Sequence, residues 1–301
     1  MTAAELPVPG GGTGAATATP SLARRTAAVF ARNKLALAGT VVLVGLLALC
    51  FLGPLFHPTD QVHTDLARAN LAPGTGGHLL GTTDLGYDML GRLMYGGRTS
   101  LEVGLAAGLL ATLFGTVYGA VAGYFGGWLD AAMMRITDAA LAIPALFLLV
   151  VVAAIVTPSK PVLILIIASV AWLSPARLIR GEALALRSRD YVHAMRLMGG
   201  GGGRAVFRHI VPNALGTVVV NATFQIADAI LYVAYLSFLG LSIPPPAADW
   251  GSMLSAGITY TQVGHWWLIF PPGIAIVLVV AAFNFIGDGL RDAFDVRLRK
   301  D

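Results

Sequence analysis

The chain has 301 residues, 56% hydrophobic and 12% charged, with a formal net charge of +4 and a mean hydropathy of +0.74. Soluble domains carry about 25% charged residues, so a water-soluble globule is excluded and a polytopic membrane protein is implied. Its lysines, Lys34, Lys160 and Lys300, stand in no Gly-Lys-Ser/Thr sequence, which excludes a Walker-type ATP site, and its one cysteine, Cys50, has no partner for a disulfide or a metal spacing.

Residues 1–23 are rich in Gly, Ala, Thr and Pro. They bury too little apolar surface to fold alone and are expected to be a disordered cytoplasmic tail, ahead of a membrane domain over 24–301. Arg24 and Arg25 precede the apolar run 35–56, which is too long for the core of a cleaved signal and reads as an uncleaved first span. Crossing a bilayer takes about 20 apolar residues. The runs 35–56, 100–123, 133–156, 161–179, 214–241 and 267–287 qualify, so an all-α bundle of six transmembrane helices is expected. Lys and Arg placement orients it. With the N-terminus inside, 16 of the 20 basic residues are cytoplasmic, and Arg68, Arg92, Arg98 and Lys160 lie outside. Both termini are then cytoplasmic, and 58–98 and 242–266 face outward.

The segment 181–213 lies between the fourth and fifth spans and holds Arg187, Arg189, Arg196, Arg204 and Arg208. Glu182 to Met198 contains no Gly or Pro and is rich in helix formers. Tyr191, Met195 and Met198 are expected to form one apolar stripe, with Gly199 as the C-terminal cap. A second helical piece, 204–210, is expected to stop before Pro212. A basic helix lying on anionic lipid fits the arginines. The glycine hinge, second helix and proline stop favour a cytoplasmic docking element.

These residues resemble the EAA loop of ABC-importer permeases of the dipeptide, oligopeptide and nickel family. Tyr191, Val192, Ala194, Gly199, Phe207, Arg208, His209, Pro212 and Asn213 carry the match; His193 stands where Glu is usual and Met195 where Ala is usual. The stretches 78–100, 123–144, 235–251 and 283–299 are similar to further family signatures in the same order. The resemblance implies a type I ABC-importer permease fold in a bacterial inner membrane. It also implies a second homologous permease subunit, two ATPase subunits that hold ATP and Mg, and an extracytoplasmic substrate-binding protein. No enzyme activity, cofactor, metal or nucleic acid is implied for the chain itself. Coupling to the ATPase would fall to Glu182, Tyr191, Val192, His193, Ala194, Met195, Met198, Gly199, Arg204, Arg208, His209 and Pro212. Peptide is the expected cargo, with nickel or another small solute as the alternative.

Asp228 lies mid-span, and Asn221 and Gln225 share roughly its face, making a candidate polar stripe on the substrate path. A bond from Asp228 to a neighbouring helix is the other reading. Asp84 and Asp88 are expected to pair with Arg92 and Arg98 in the outer loop, and Trp250, Trp266 and Trp267 to anchor at the interface. A stand-alone secondary transporter would often show repeated halves, and none is visible. An intramembrane serine protease would need a nucleophile motif that Ser169, Ser174 and Ser237 lack.

Overall fold

The computed structural model describes residues 22–298. The expected tail 1–23 therefore lies outside the described residues except for its last two, which open the first helix. In chain order the helices are α1 (Leu22–Phe30), α2 (Lys34–Phe51), the single turn α3 (Gly53–Phe56), α4 (Met89–Phe125), α5 (Gly127–Leu141), α6 (Ala145–Ala154), α7 (Lys160–Ala171) and α8 (Leu173–Arg187). They continue as α9 (Asp190–Leu197), α10 (Gly202–Ala205), α11 (Val211–Asn213), α12 (Leu215–Phe238), α13 (Trp250–Ile258) and α14 (Phe270–Leu298). The chain is an all-α membrane bundle; among the described residues strand pairing is confined to one bridge, Thr82 to Asp88.

The spans α2, α4, α12 and α14 are single helices. The third and fourth expected spans are not straight: α5 and α6 meet at 82°, and α7 and α8 at 45°. Counting each bent pair as one span gives up to six. Prolines cause both breaks. Pro144 offers no amide and disfavours helical geometry at Ile143. Pro175 cannot donate to the carbonyl of Ala171, and the Gln225 side chain of α12 donates to it instead, Nε2 to O, at 2.9 Å.

The long helix α4 has 37 residues, about 55 Å at 1.5 Å per residue, and the other helices pack around it. Lipid gives no hydrophobic drive for helices to associate, so close backbone approach must supply the contact energy. A Cβ on Gly108 would stand 2.7 Å from Ile226 Cα of α12, and one on Gly115 2.7 Å from Pro175 Cβ of α8. Three apolar clusters follow along α4. One joins Met89 and Leu93 to Trp250 and α14, one joins Val103 and Ala107 to α6, α7 and α12, and the last joins Ala120 and Tyr124 to α8, α9 and 205–210.

Helix α4 begins at Met89, so the connection before it ends ten residues short of the expected loop 58–98. Asp88 is the reason: its carboxylate caps the amide of Gly91 at 2.8 Å. The expected Asp–Arg network forms no ion pair among the described residues; Asp84 acts on Arg92 only through space, across a shared cavity. Asp88, 4% exposed, accepts from His78 Nδ1 at 2.7 Å and lies 3.2 Å from His57 Nε2. Arg98 donates to the carbonyls of Cys50 at 2.7 Å and Phe51 at 2.8 Å, ending α2, and Arg92 donates to Pro246 O at 2.8 Å. Cationic side chains answer the orphan carbonyls of a helix end, where no further amide follows. Of the expected tryptophan anchors, Trp266 is exposed, but Trp250 and Trp267 are buried. Their indole N–H groups donate to Leu93 O at 3.0 Å and Thr82 O at 3.2 Å.

Candidate functional site

The segment 181–213 packs at the Phe125 end of α4, and the 57–88 connection at the Met89 end. The start of α2 and the C-terminal part of α14 share the first of these ends: Gly289 lies against Ala36, and Gly216 against Phe294. Arg187, Arg189, Arg196, Arg204 and Arg208 therefore sit together at this end of the bundle, while Arg92 and Arg98 lie at the other.

The expected continuous helix 182–198 is broken. Helix α8 ends at Arg187, and α9 starts at Asp190. The break lets Arg187 turn back, where its guanidinium donates to the carbonyls of Gly123 and Tyr124 at 3.3 Å each. Gly199 ends α9 as expected, with φ at +80°. Its amide donates to Arg196 O at 2.9 Å and that of Gly200 to Met195 O at 3.0 Å, the bond pair of a left-handed glycine cap. Any other residue there meets the Cβ penalty of that conformation, about 1–2 kcal/mol.

Helical structure also continues past Pro212, against expectation. Residues Val206–Ile210 wind as a π turn, closed by the Val211 amide on Val206 O, and Pro212 sits in the first turn of α11. A first-turn proline needs no amide partner. The Asn213 side-chain amide donates to His209 O.

The expected stripe of Tyr191, Met195 and Met198 divides between two faces. Val192, with no exposed surface, and Met195, 6% exposed, turn inward against the end of α4 and against 205–210. Tyr191, His193, Ala194, Met198, Gly199, Arg204, Arg208 and Pro212 are exposed, and His209 is half-buried. Tyr191 and His209 face each other, ring centroids 6.2 Å apart. Glu182 faces its own chain, accepting from the Thr217 hydroxyl at 2.6 Å. Leu197 was not among the expected residues, yet at 90% it is the most exposed of the segment's large apolar side chains, beside Met198 at 81% and Phe207 at 60%. The signal for it lies in the three-residue step from Val192 to Met195, which puts Leu197 on the outer face.

Three ties join this segment to the bundle. Arg196 Nε donates to the Tyr124 hydroxyl at 3.2 Å and its guanidinium stacks on that ring. Arg187 closes α4, and Glu182 reaches α12. Nearby, Arg180 of α8 grips Asp130 of α5 through two bonds of 2.6 and 2.7 Å. A bidentate, partly buried pair of this kind fixes orientation as well as contact.

Midway along the bundle, Asp228 is exposed on the surface of the chain. It makes no hydrogen bond or ion pair with the described residues. Asp228, Gln225 and Tyr232 line a cavity of about 140 Å³ at the two helix breaks. Asn221 is not among its lining; its Oδ1 is buried without a hydrogen-bond partner among the described residues. A carboxylate facing lipid mid-span costs roughly 2.5–3.5 kcal/mol, so this face of α12 belongs toward water or protein.

At the opposite end, a cavity of about 590 Å³ lies between the 83–92 region and residues 237–257. Asp84, Arg92, Ser242 and Met253 line it. Behind two of its lining residues, buried Asp249 caps the Ser252 amide at 3.0 Å and binds the Ser242 hydroxyl. The Asp84 carboxylate beside Tyr260, oxygen to hydroxyl 3.4 Å, holds that phenol's pKa above its ordinary range.

The comparisons agree with this architecture. The profile of the family described as binding-protein-dependent transport system inner membrane component matches residues 115–300. That of the N-terminal TM domain of oligopeptide transport permease C matches 21–73. The oligopeptide transport system permease protein OppC of Escherichia coli is 42% identical over 271 residues, covering 90% of this chain and 89% of that protein. The Bacillus subtilis protein of the same name is 38% identical over 271 residues, covering 90% and 88%. The dipeptide transport system permease protein DppC of Bacillus subtilis is 38% identical over 269 residues, covering 89% and 84%.

Proposed function

This chain belongs to the family of binding-protein-dependent transport system inner membrane components, and from that premise we propose that it is a permease subunit of an ATP-driven peptide importer. The cargo reading rests on its relatives, named for oligopeptide and dipeptide transport. In this reading it forms half of the pathway beside a second homologous permease. Two separate ATPase subunits hold ATP and Mg, and an extracytoplasmic receptor delivers the peptide. Both termini and the 181–213 segment face the cytoplasm, in keeping with the basic residues gathered at that end.

The observation that carries the coupling role is the apolar knob of Leu197 and its chain neighbour Met198, with Phe207 also exposed on the segment. It stands exposed on a segment whose opposite face is packed. Helix α9 has eight residues, about two turns, and spends its buried apolar residues Val192 and Met195 on the bundle rather than on lipid. Its inner face shares one core with α4 and α8, so a load applied at the knob moves those helices as a body. Energy enters the cycle only through contacts that differ between the inward- and outward-open states. A groove on the ATPase that closes with ATP would supply that difference.

Isolation of the tagged chain from its native membrane tests the reading. The expected assembly contains a second permease and chains with phosphate-binding loops, and in vesicles it takes up peptide only with ATP and the receptor. An assembly that hydrolyses no nucleotide overturns it.

A further inference from the structure

Two broken helices meet α12 at one place. The small cavity there is lined by Leu141 and Pro144 from the first break, by Ala171 and Ser174 from the second, and by Asp228 and Tyr232 from α12. Both breaks are built into the sequence as prolines. The second is held open by Gln225, whose amide nitrogen satisfies the Ala171 carbonyl at 2.9 Å. With that nitrogen committed, Gln225 keeps its amide oxygen as an acceptor.

The site is rich in acceptors. Asp228 contributes a carboxylate that no described cation neutralises, and Tyr232 and Ser174 contribute hydroxyls that can accept as well as donate. An unneutralised carboxylate among apolar spans is costly unless a cation or water meets it. A primary ammonium carries three donors and one positive charge, which is the complement of this set.

We propose that Asp228, at the junction of the two breaks, receives the ammonium group of the passing peptide. Gln225 acts as a positioning residue that holds the second break in place. The inference rests on the peptide-importer reading and deepens it, since it gives the pathway a preference for cargo with a free amine. In a broken helix, irregular backbone is tolerated where it lines a cavity, and the place where two such helices meet is a natural stopping point on a pathway.

The test uses the intact detergent-purified transporter without its receptor. Equilibrium binding is measured for trialanine, N-acetyl-trialanine and an N-acetylated tripeptide ending in lysine. The wild type is expected to bind trialanine at least tenfold more tightly than its acetylated form. Asp228→Asn should narrow that ratio to within twofold while leaving the acetylated peptide's affinity unchanged. Tight binding of the lysine peptide, lost in the same variant, would support recognition of any primary ammonium; weak binding would restrict it to the amino terminus. A preference unchanged by Asp228→Asn, absence of a preference in the wild type, or an equal loss for both trialanine forms overturns the inference. Stimulation of ATP hydrolysis by peptide-loaded receptor, measured on the wild-type complex, separates the two levels. If it is present without an amine preference, only this inference fails. If no peptide stimulates, the peptide reading fails and takes the inference with it.

Discussion

Leu197→Asp is expected to leave the protein folded in the membrane while peptide uptake falls at least 100-fold and the ATPase no longer co-purifies. The residue is 90% exposed, and surface changes away from special features usually alter stability by about 0.5 kcal/mol or less. An apolar anchor seated in a partner's pocket behaves differently. Its truncation costs about 2–4 kcal/mol of binding, and a carboxylate in the same pocket adds desolvation without a partner. At about 1.4 kcal/mol per tenfold, those costs span roughly 30-fold to 1,000-fold in affinity. Leu197→Met, which keeps an apolar side chain of similar volume, should retain uptake within about threefold. Radiolabelled peptide uptake and quantitative immunoblotting of the purified complex provide the readouts. Normal uptake by Leu197→Asp would remove the knob from the mechanism.

Gly119→Leu is expected to abolish recovery of the folded transporter. Gly119 lies where α4 crosses α8; a Cβ there would overlap the Ala176 carbonyl and stand 2.9 Å from the Arg180 amide. Both obstacles are backbone, so α8 must move as a whole. Overpacking ordinarily costs about 1–3 kcal/mol. Here the shift also draws Arg180 away from Asp130, breaking a partly buried bidentate pair. Close approach is the main source of helix association in lipid, so the loss has no hydrophobic compensation. Gly45→Ala supplies the control: nothing lies within 4 Å of its Cβ position, and a helical alanine is favoured over glycine by up to about 1 kcal/mol. Size-exclusion yield and thermal unfolding of the two variants measure the difference. Wild-type yield of Gly119→Leu would contradict the α4–α8 crossing.

The sequence made the membrane class legible because long uncharged runs have few other uses. Gly199 was legible too, since a glycine after a run of helix formers has a local meaning that tertiary contacts did not alter. The breaks near Pro144 and Trp172 escape a length count over apolar residues, because such a count ignores the amides missing at Pro144 and Pro175. The inward face of α9 is not legible in the sequence, because eight residues make too little helix to separate a three-residue step from a four-residue one. Asp88 shows a different limit. Its partners His57 and His78 stand 31 and 10 residues away, and nothing local announces that a carboxylate will choose imidazoles over the arginines beside it. The donor that Gln225 gives to Ala171 was hidden for the same reason, since the need for it arises on another helix. Asp228 could be placed mid-span by counting, but the cavity beside it comes from two breaks brought together only in the fold.

Accessibility of Met198→Cys to a membrane-impermeant maleimide tests the coupling claim most directly. The native thiol, Cys50, is fully buried and gives a silent background. Labelling is expected in inside-out vesicles stripped of the ATPase, protection when the ATPase is restored, and no labelling in intact cells. Labelling of intact cells, or equal labelling with and without the ATPase, would contradict the account.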